Sequence, residues 1–129
     1  MCLNLEKTKE TFEEHIEIAQ EDIIVWKVMG YKSKYFGLWR RFYSYYREFI
    51  YKPNKVYNIN EFTYDESPID VSCYYIEQGF HAYLTREMAQ CYVDYDAKII
   101  KCIIPKGTEY LKNNTEIVSK AIKIIKCVK

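Results

Sequence analysis

The chain has 129 residues, a formal net charge of +1, 49% hydrophobic residues and 17% aromatics. That length fits one domain able to bury roughly two thirds of its unfolded surface, and the apolar content excludes a wholly disordered chain. The near-neutral balance excludes a partner selected by overall charge alone.

Charge is blocked along the chain. Met1–Asp22 holds seven acids against two lysines, Tyr31–Tyr57 seven bases against Glu48, Asn58–Asp96 eight acids against Arg86, and Ala97–Lys129 eight lysines against two acids. Blocks of opposite sign are expected to meet in the fold. The five cysteines (Cys2, Cys73, Cys91, Cys102, Cys127) are odd in number and lack CxxC spacing. They read as reduced thiols, not as a disulfide scaffold or a zinc module. The start "MCLNLEKTKE" lacks the apolar run of a signal peptide, and no apolar run is long enough to span a bilayer. A cytoplasmic protein without membrane partners is the expectation.

Residues Thr8–Gln20 predict a helix, with Leu5, Phe12, Ile16 and Ala19 approximating one face and Thr11 and Glu14 at capping-box spacing. His15 is expected to be solvated there. "DIIVWKVM" (Asp22–Met29) predicts a strand. In Tyr31–Lys52, Leu38, Phe42, Tyr45, Tyr46 and Phe49 give partial helical spacing, with aromatics on almost every side. Lys55–Tyr64 alternates as a strand, and Asp65–Asp70 reads as a loop.

Cys73–Ile76 leads to Gly79, which suits a bulge or a positive-φ turn. Beyond it Phe80, Ala82 and Leu84 would face one side of a strand and His81, Tyr83 and Thr85 the other. Thr85 is a natural N-cap for a short helix carrying Met88, Cys91, Tyr92 and Tyr95. Lys98–Leu111 reads as strand, turn, strand, with Pro105 second and Gly107 fourth in the turn. The tail from Glu116 suits helix or strand; the isoleucines favour an extended tail broken near Ser119–Lys120. The pentapeptide "KIIKC" occurs at 98–102 and again at 123–127. These elements predict an α+β domain, in which an N-terminal helix, an aromatic-rich segment and a short helix after Thr85 pack on a mainly antiparallel sheet.

The pattern "VY…GFHAY…A…IIKCIIPKGTEYL…EIVSKAIKI", over roughly Lys55–Ile125, resembles small proteins encoded by bacteriophages and mobile elements. That resemblance implies such an origin and no particular chemistry. The strand–helix unit, the "IPKGT" turn and the acidic residue leading an apolar strand are also similar to ADP-ribosyltransferase folds. That likeness implies Glu116 as the glutamate that polarises a ribose hydroxyl, with His81 or Tyr83 at a nicotinamide pocket. The chain departs from that pattern: "DIIVWKVM" carries no Arg or His for an NAD contact, and the serine-threonine-serine element is missing.

Histidine titrates near neutrality, so His81 is a candidate general base. It lacks an orienting acid or nucleophile beside it in sequence, and a hydrogen-bonded structural histidine is the plainer reading. His81, Cys73 and Cys91 have no metal-ligand spacing, so no metal is expected, nor is a cofactor. The strongest anomaly is Tyr31–Tyr57, which holds half of the twenty-two aromatics and seven of the nineteen bases. Trp39, Arg40, Arg41, Tyr43, Tyr45, Tyr46 and Arg47 are the candidate binding residues, because tyrosine, tryptophan and arginine dominate interface hot spots. The same residues could stack on bases and contact phosphates. The functional expectation is a non-enzymatic phage-type protein that engages a host protein or a small nucleotide-like ligand. A nucleic-acid-binding module and an ADP-ribosyltransferase-like enzyme, or its inactive remnant, are the alternatives.

Overall fold

The computed structural model describes residues 3–9, 11–33, 40–44, 50–51, 54–66, 73–93 and 97–128. Thirteen strands occur among them: β1 (Leu3–Glu6), β2 (Glu17–Ile18), β3 (Ile23–Ser33), β4 (Arg40–Ser44), β5 (Ile50–Tyr51), β6 (Val56–Asn58), β7 (Thr63–Glu66), β8 (Cys73–Gln78), β9 (Phe80–Tyr83), β10 (Ala97–Ile104), β11 (Glu109–Lys112), β12 (Glu116–Ser119) and β13 (Ala121–Val128). One short helix, α1 (Arg86–Gln90), and a 3-10 turn at Glu13–His15 complete the elements. All the strand pairings are antiparallel.

The α+β expectation is therefore corrected to a mostly antiparallel β fold in two sheets. The N-terminal helix does not form. Leu3 and Leu5 alternate with exposed residues in β1 and pair with Ile76 and Tyr74 of β8. Phe12 and Ala19, placed on one helical face by their spacing, are buried in two different apolar clusters. No helix could serve both, and the tertiary contacts override the local period. Phe12 stacks on Tyr64, with centroids 3.7 Å apart, and meets Tyr74 edge-on. His15 is half-buried with its ring 5.9 Å from that of Tyr74, and it is not the solvated residue expected. The aromatic-rich segment is extended where it is described, at β4 and β5, in keeping with the strand preference of aromatics. Lys55–Tyr64 divides between β6 and β7, which belong to different sheets.

The small sheet runs β1-β8-β7. The large sheet runs β2-β11-β12-β9-β3-β10-β13-β6, with β4 on β3 and β5 on β4. Only Lys120 separates β12 from β13. The path β12-β9-β3-β10-β13 thus leaves one stretch of chain and returns to it a residue later, closing the ladder around a core. Lys120 marks the bend: its N–H donates to the Glu109 carbonyl at 3.1 Å, and its own carbonyl accepts from Ile59 N–H at 2.8 Å. The tail is extended and breaks where the isoleucine-rich reading placed the break. β3 is apolar in both phases because both its faces are covered in part, which suits a central strand.

The closed ladder encloses Val25, Met29, Phe80, Ala82, Ile100, Cys102, Ile104, Ile117, Ile122 and Ile124. On the outside, Leu3, Leu5, Ile76, Leu111 and Val118 join the small sheet to β11 and β12. α1 sets Ala89 and Met88 against Trp26, Val28, Tyr83 and Ile99. Thr85 caps it, its hydroxyl accepting from Met88 N–H at 3.2 Å. The Pro105 turn sits one residue later than expected. Thr108 N–H donates to the Pro105 carbonyl at 3.1 Å, so Gly107 is third, and its φ of +89° is what the third position of a type II turn requires.

The thiols are graded by this packing: Cys91 exposed, Cys73 half-buried, Cys102 fully buried. Burial also pushes the Cys102 thiol up to about 12, with Lys27 opposing. Thiolate is the reacting form. Iodoacetamide at pH 8 should therefore label Cys91 within minutes and Cys102 only after unfolding. Mass spectrometry showing Cys102 labelled as fast as Cys91 in folded protein would contradict the packing.

Candidate functional site

Strand β9 and its neighbours gather the three residues considered for chemistry. In the β9–β12 ladder Tyr83 lies opposite Glu116, and His81 opposite Val118. Directly paired residues project to the same side of a sheet, as do residues two apart on one strand. His81, Tyr83 and Glu116 therefore share the outer side of the closed ladder, between α1 and the small sheet. Tyr83 is 6% exposed, and its ring is stacked beneath that of Tyr92, with centroids 5.0 Å apart and planes at 12°. His81 is half-buried, and its Nε2 donates to the Glu77 carbonyl at 3.4 Å. Glu116 is half-buried, with Oε2 shielded from solvent and no hydrogen-bond partner. Burial holds its carboxyl above the ordinary range. Asn113 shapes this end of β12, its side-chain oxygen accepting from Thr115 N–H at 2.9 Å and Glu116 N–H at 2.7 Å. The set offers one protonatable carboxyl beside a buried phenol.

Behind β9, on the inner side, lies a group that the sequence reading did not single out. Lys27 is in phase with Val25 and Met29, so it projects into the core and is only 6% exposed. Its Nζ donates to the His81 carbonyl. Ile100 is its register partner on β10, with Cys102 two residues on. Burial pushes the ammonium down to about 8, with Cys102 opposing. The signal was present in the sequence: in "DIIVWKVM" the lysine falls in the Val25/Met29 phase of a strand that is apolar on both sides.

The aromatic-basic candidates divide. Trp39, Tyr45, Tyr46 and Arg47 lie outside the described residues. Arg40, Arg41 and Tyr43 fall on β4, where the description is of the backbone. In the ladder with β3, Ser33 is opposite Arg40, Lys32 opposite Arg41 and Gly30 opposite Tyr43. The pairing of β3 with β10 stops at Gly30. Beyond that point, among the described residues, β3 is paired to β4 alone, so Tyr31–Ser33 and Arg40–Phe42 make a ribbon beyond the closed ladder.

Among the described residues, no three metal-ligating side chains come together, and no helix is long and apolar enough to cross a membrane. No family model, no curated protein and no solved structure matches the chain.

Proposed function

We propose that this is a non-enzymatic, phage-type binding protein of the host cytoplasm, and that its β3–β4–β5 ribbon engages a host protein. The observation that supports the reading is the Lys32–Arg41 opposition at the head of the ribbon. Two like charges directly across a ladder oppose its pairing, and an anionic group set between them relieves that cost. The flanking sequence adds aromatics and further arginines, the composition of interface hot spots. The host assignment rests on the resemblance to bacteriophage and mobile-element proteins.

Substituting Arg40, Arg41 and Tyr43 together by alanine should abolish capture of the partner from host lysate, with the far-UV circular dichroism unchanged. If the triple variant captures everything the parent captures, the ribbon is not the interface. Loss of capture in proportion to a steep power of salt concentration would move the assignment to nucleic acid, because each displaced phosphate counterion adds to the slope.

A second reading, an ADP-ribosyltransferase-like enzyme or its remnant that holds a nucleotide-like ligand, is favoured by one observation. Glu116, Tyr83 and His81 come to one side of two paired strands. Against it, Tyr83 is buried beneath Tyr92, and His81 is tied to the Glu77 carbonyl.

A further inference from the structure

The two copies of "KIIKC" end up side by side. β10 and β13 pair antiparallel, with Lys101 opposite Lys126 and Ile103 opposite Lys123. A register shift at Lys101/Cys102 keeps the isoleucines in phase, so Ile100, Ile122 and Ile124 all enter the core. Lys101 and Lys123, out of phase with them, are left on the outer side. Continuing the registers outward, Lys101 lies opposite Trp26, Ile103 opposite Ile24, and Lys123 opposite Val56. One outer face, spanning β3, β10, β13 and β6, therefore carries Ile24, Ile103 and Val56 beside Trp26, Lys101 and Lys123.

Most of this face has no covering layer among the described residues. Ile24 is 49% exposed and Val56 42% exposed. α1 covers only the end near Val28 and Ile99. Its five residues reach roughly 8 Å along an axis that rises about 1.5 Å per residue, whereas the eight residues of β10 span roughly 26 Å. A sheet face with aliphatic side chains is ordinarily closed by a second layer. Among the described residues, α1 is what forms that layer here.

We infer that this face is the docking site of an acidic, aliphatic-bearing helical segment of a partner protein, which continues the layer α1 begins. The inference rests on the binding-protein reading and names the chemistry of the partner. Charge selects the acidic character: Lys101 and Lys123 have no acidic partner among the described residues, and Lys101 stands opposite another lysine in the ladder. The aliphatics select protein over nucleic acid: Trp26, the ring on this face, is partly buried in the α1 cluster, and an unstacked base gains little from the exposed Ile24 and Val56. An amphipathic helix with leucines toward the sheet and glutamates at its margins matches both features.

The test uses the full chain and a fluorescein-labelled 18-residue peptide with leucines at helical spacing and glutamates flanking them. Anisotropy titration should give saturable binding. A control peptide with glutamine for every glutamate should bind at least tenfold more weakly. Lys101→Glu with Lys123→Glu should weaken the acidic peptide at least tenfold, while Lys101→Arg with Lys123→Arg keeps the affinity within about twofold, since the charge is what acts. Ile24→Ser with Val56→Ser, both at exposed positions, should weaken it with the melting temperature unchanged. Absence of saturable peptide binding overturns the inference. So does tighter binding of oligo-dT or of phosphatidylserine vesicles, or self-association that the lysine reversals abolish. The ribbon reading is separable: if Arg40, Arg41 and Tyr43 prove essential for host capture while the lysine reversals bind the peptide like the parent, the ribbon stands and this docking site falls.

Discussion

Gly79→Ala should lower the melting temperature by about 10 °C or more, at about 3–4 °C per kcal/mol for a chain of this length. Gly79 is the single residue between β8 of the small sheet and β9 of the large one. Its φ is +154°, a backbone state that side chains rarely adopt. A Cβ there would stand 2.1 Å from Val118 Cγ1 and 3.3 Å from the Phe62 ring. Val118 is fully buried between the sheets, so it cannot swing aside. Backbone strain of about 1–3 kcal/mol adds to an overpacking cost of similar size. Thermal melts of the parent, Gly79→Ala, Val118→Ala and the double variant form a cycle. The double variant should lose clearly less than the sum of the single ones, because removing Val118 Cγ1 relieves the clash and leaves only the φ strain. Additive losses, or a Gly79→Ala variant that melts with the parent, would mean that the sheet-to-sheet switch is not built as described.

The second large effect is a stability profile that climbs at alkaline pH. Lys27 is lowered from 10.5 to about 8 by burial. Below about 8 it is charged in both folded and unfolded chains, and the folded state bears the full cost of an interior ammonium. Between about 8 and 10.5 the unfolded chain binds a proton that the folded chain has released. Stability must then rise with pH, by about 1.4 kcal/mol per unit and about 3 kcal/mol across the window. Cys102 acts with the opposite sign. Its thiol moves from 9.0 to about 12, so above 9 the folded chain holds the extra proton and stability falls. The two together give a rise from about pH 8 to 9, a plateau to about 10.5 and a decline beyond it. Lys27→Met should remove the rise and keep the decline, so that between pH 7 and 10.5 the parent gains about 3 kcal/mol on the variant. Urea unfolding at half-unit pH steps measures this, and a constant gap between the two proteins would show that Lys27 is not a buried base.

Both effects arise at positions with legible local chemistry and illegible surroundings. A glycine ahead of an alternating strand reads as a switch in backbone direction, and Gly79 is one. That Val118 fills the space where a Cβ would go is a fact of β12, thirty-nine residues away. The phase of Lys27 is legible in Asp22–Met29, a strand with two apolar sides. Which side closes into a core was decided by β9, β10 and β13.

Alternation and turn chemistry determined much by themselves: the central strand at Ile23–Met29, the strand–helix junction capped by Thr85, the presence of a Pro-Gly turn after β10 (though not its register) and the extended tail broken near Lys120. Each rests on contacts within a few residues, or on a period that one burial environment enforces. The tertiary structure alone decided the rest. Leu5, Phe12, Ile16 and Ala19 have a helical spacing, yet Phe12 is claimed by the rings of Tyr64 and Tyr74, and Ala19 by the hydrogen bonds to Thr108 and Gly107. The sum of helix propensities over so short and acidic a stretch is small beside those long-range contacts. The pairing of the two "KIIKC" strands, and the lysine-bearing face it leaves outside, likewise depends on β12 and β13 bending at Lys120 to close the ladder. Closure is a relation between strands distant along the chain, and no local period encodes it.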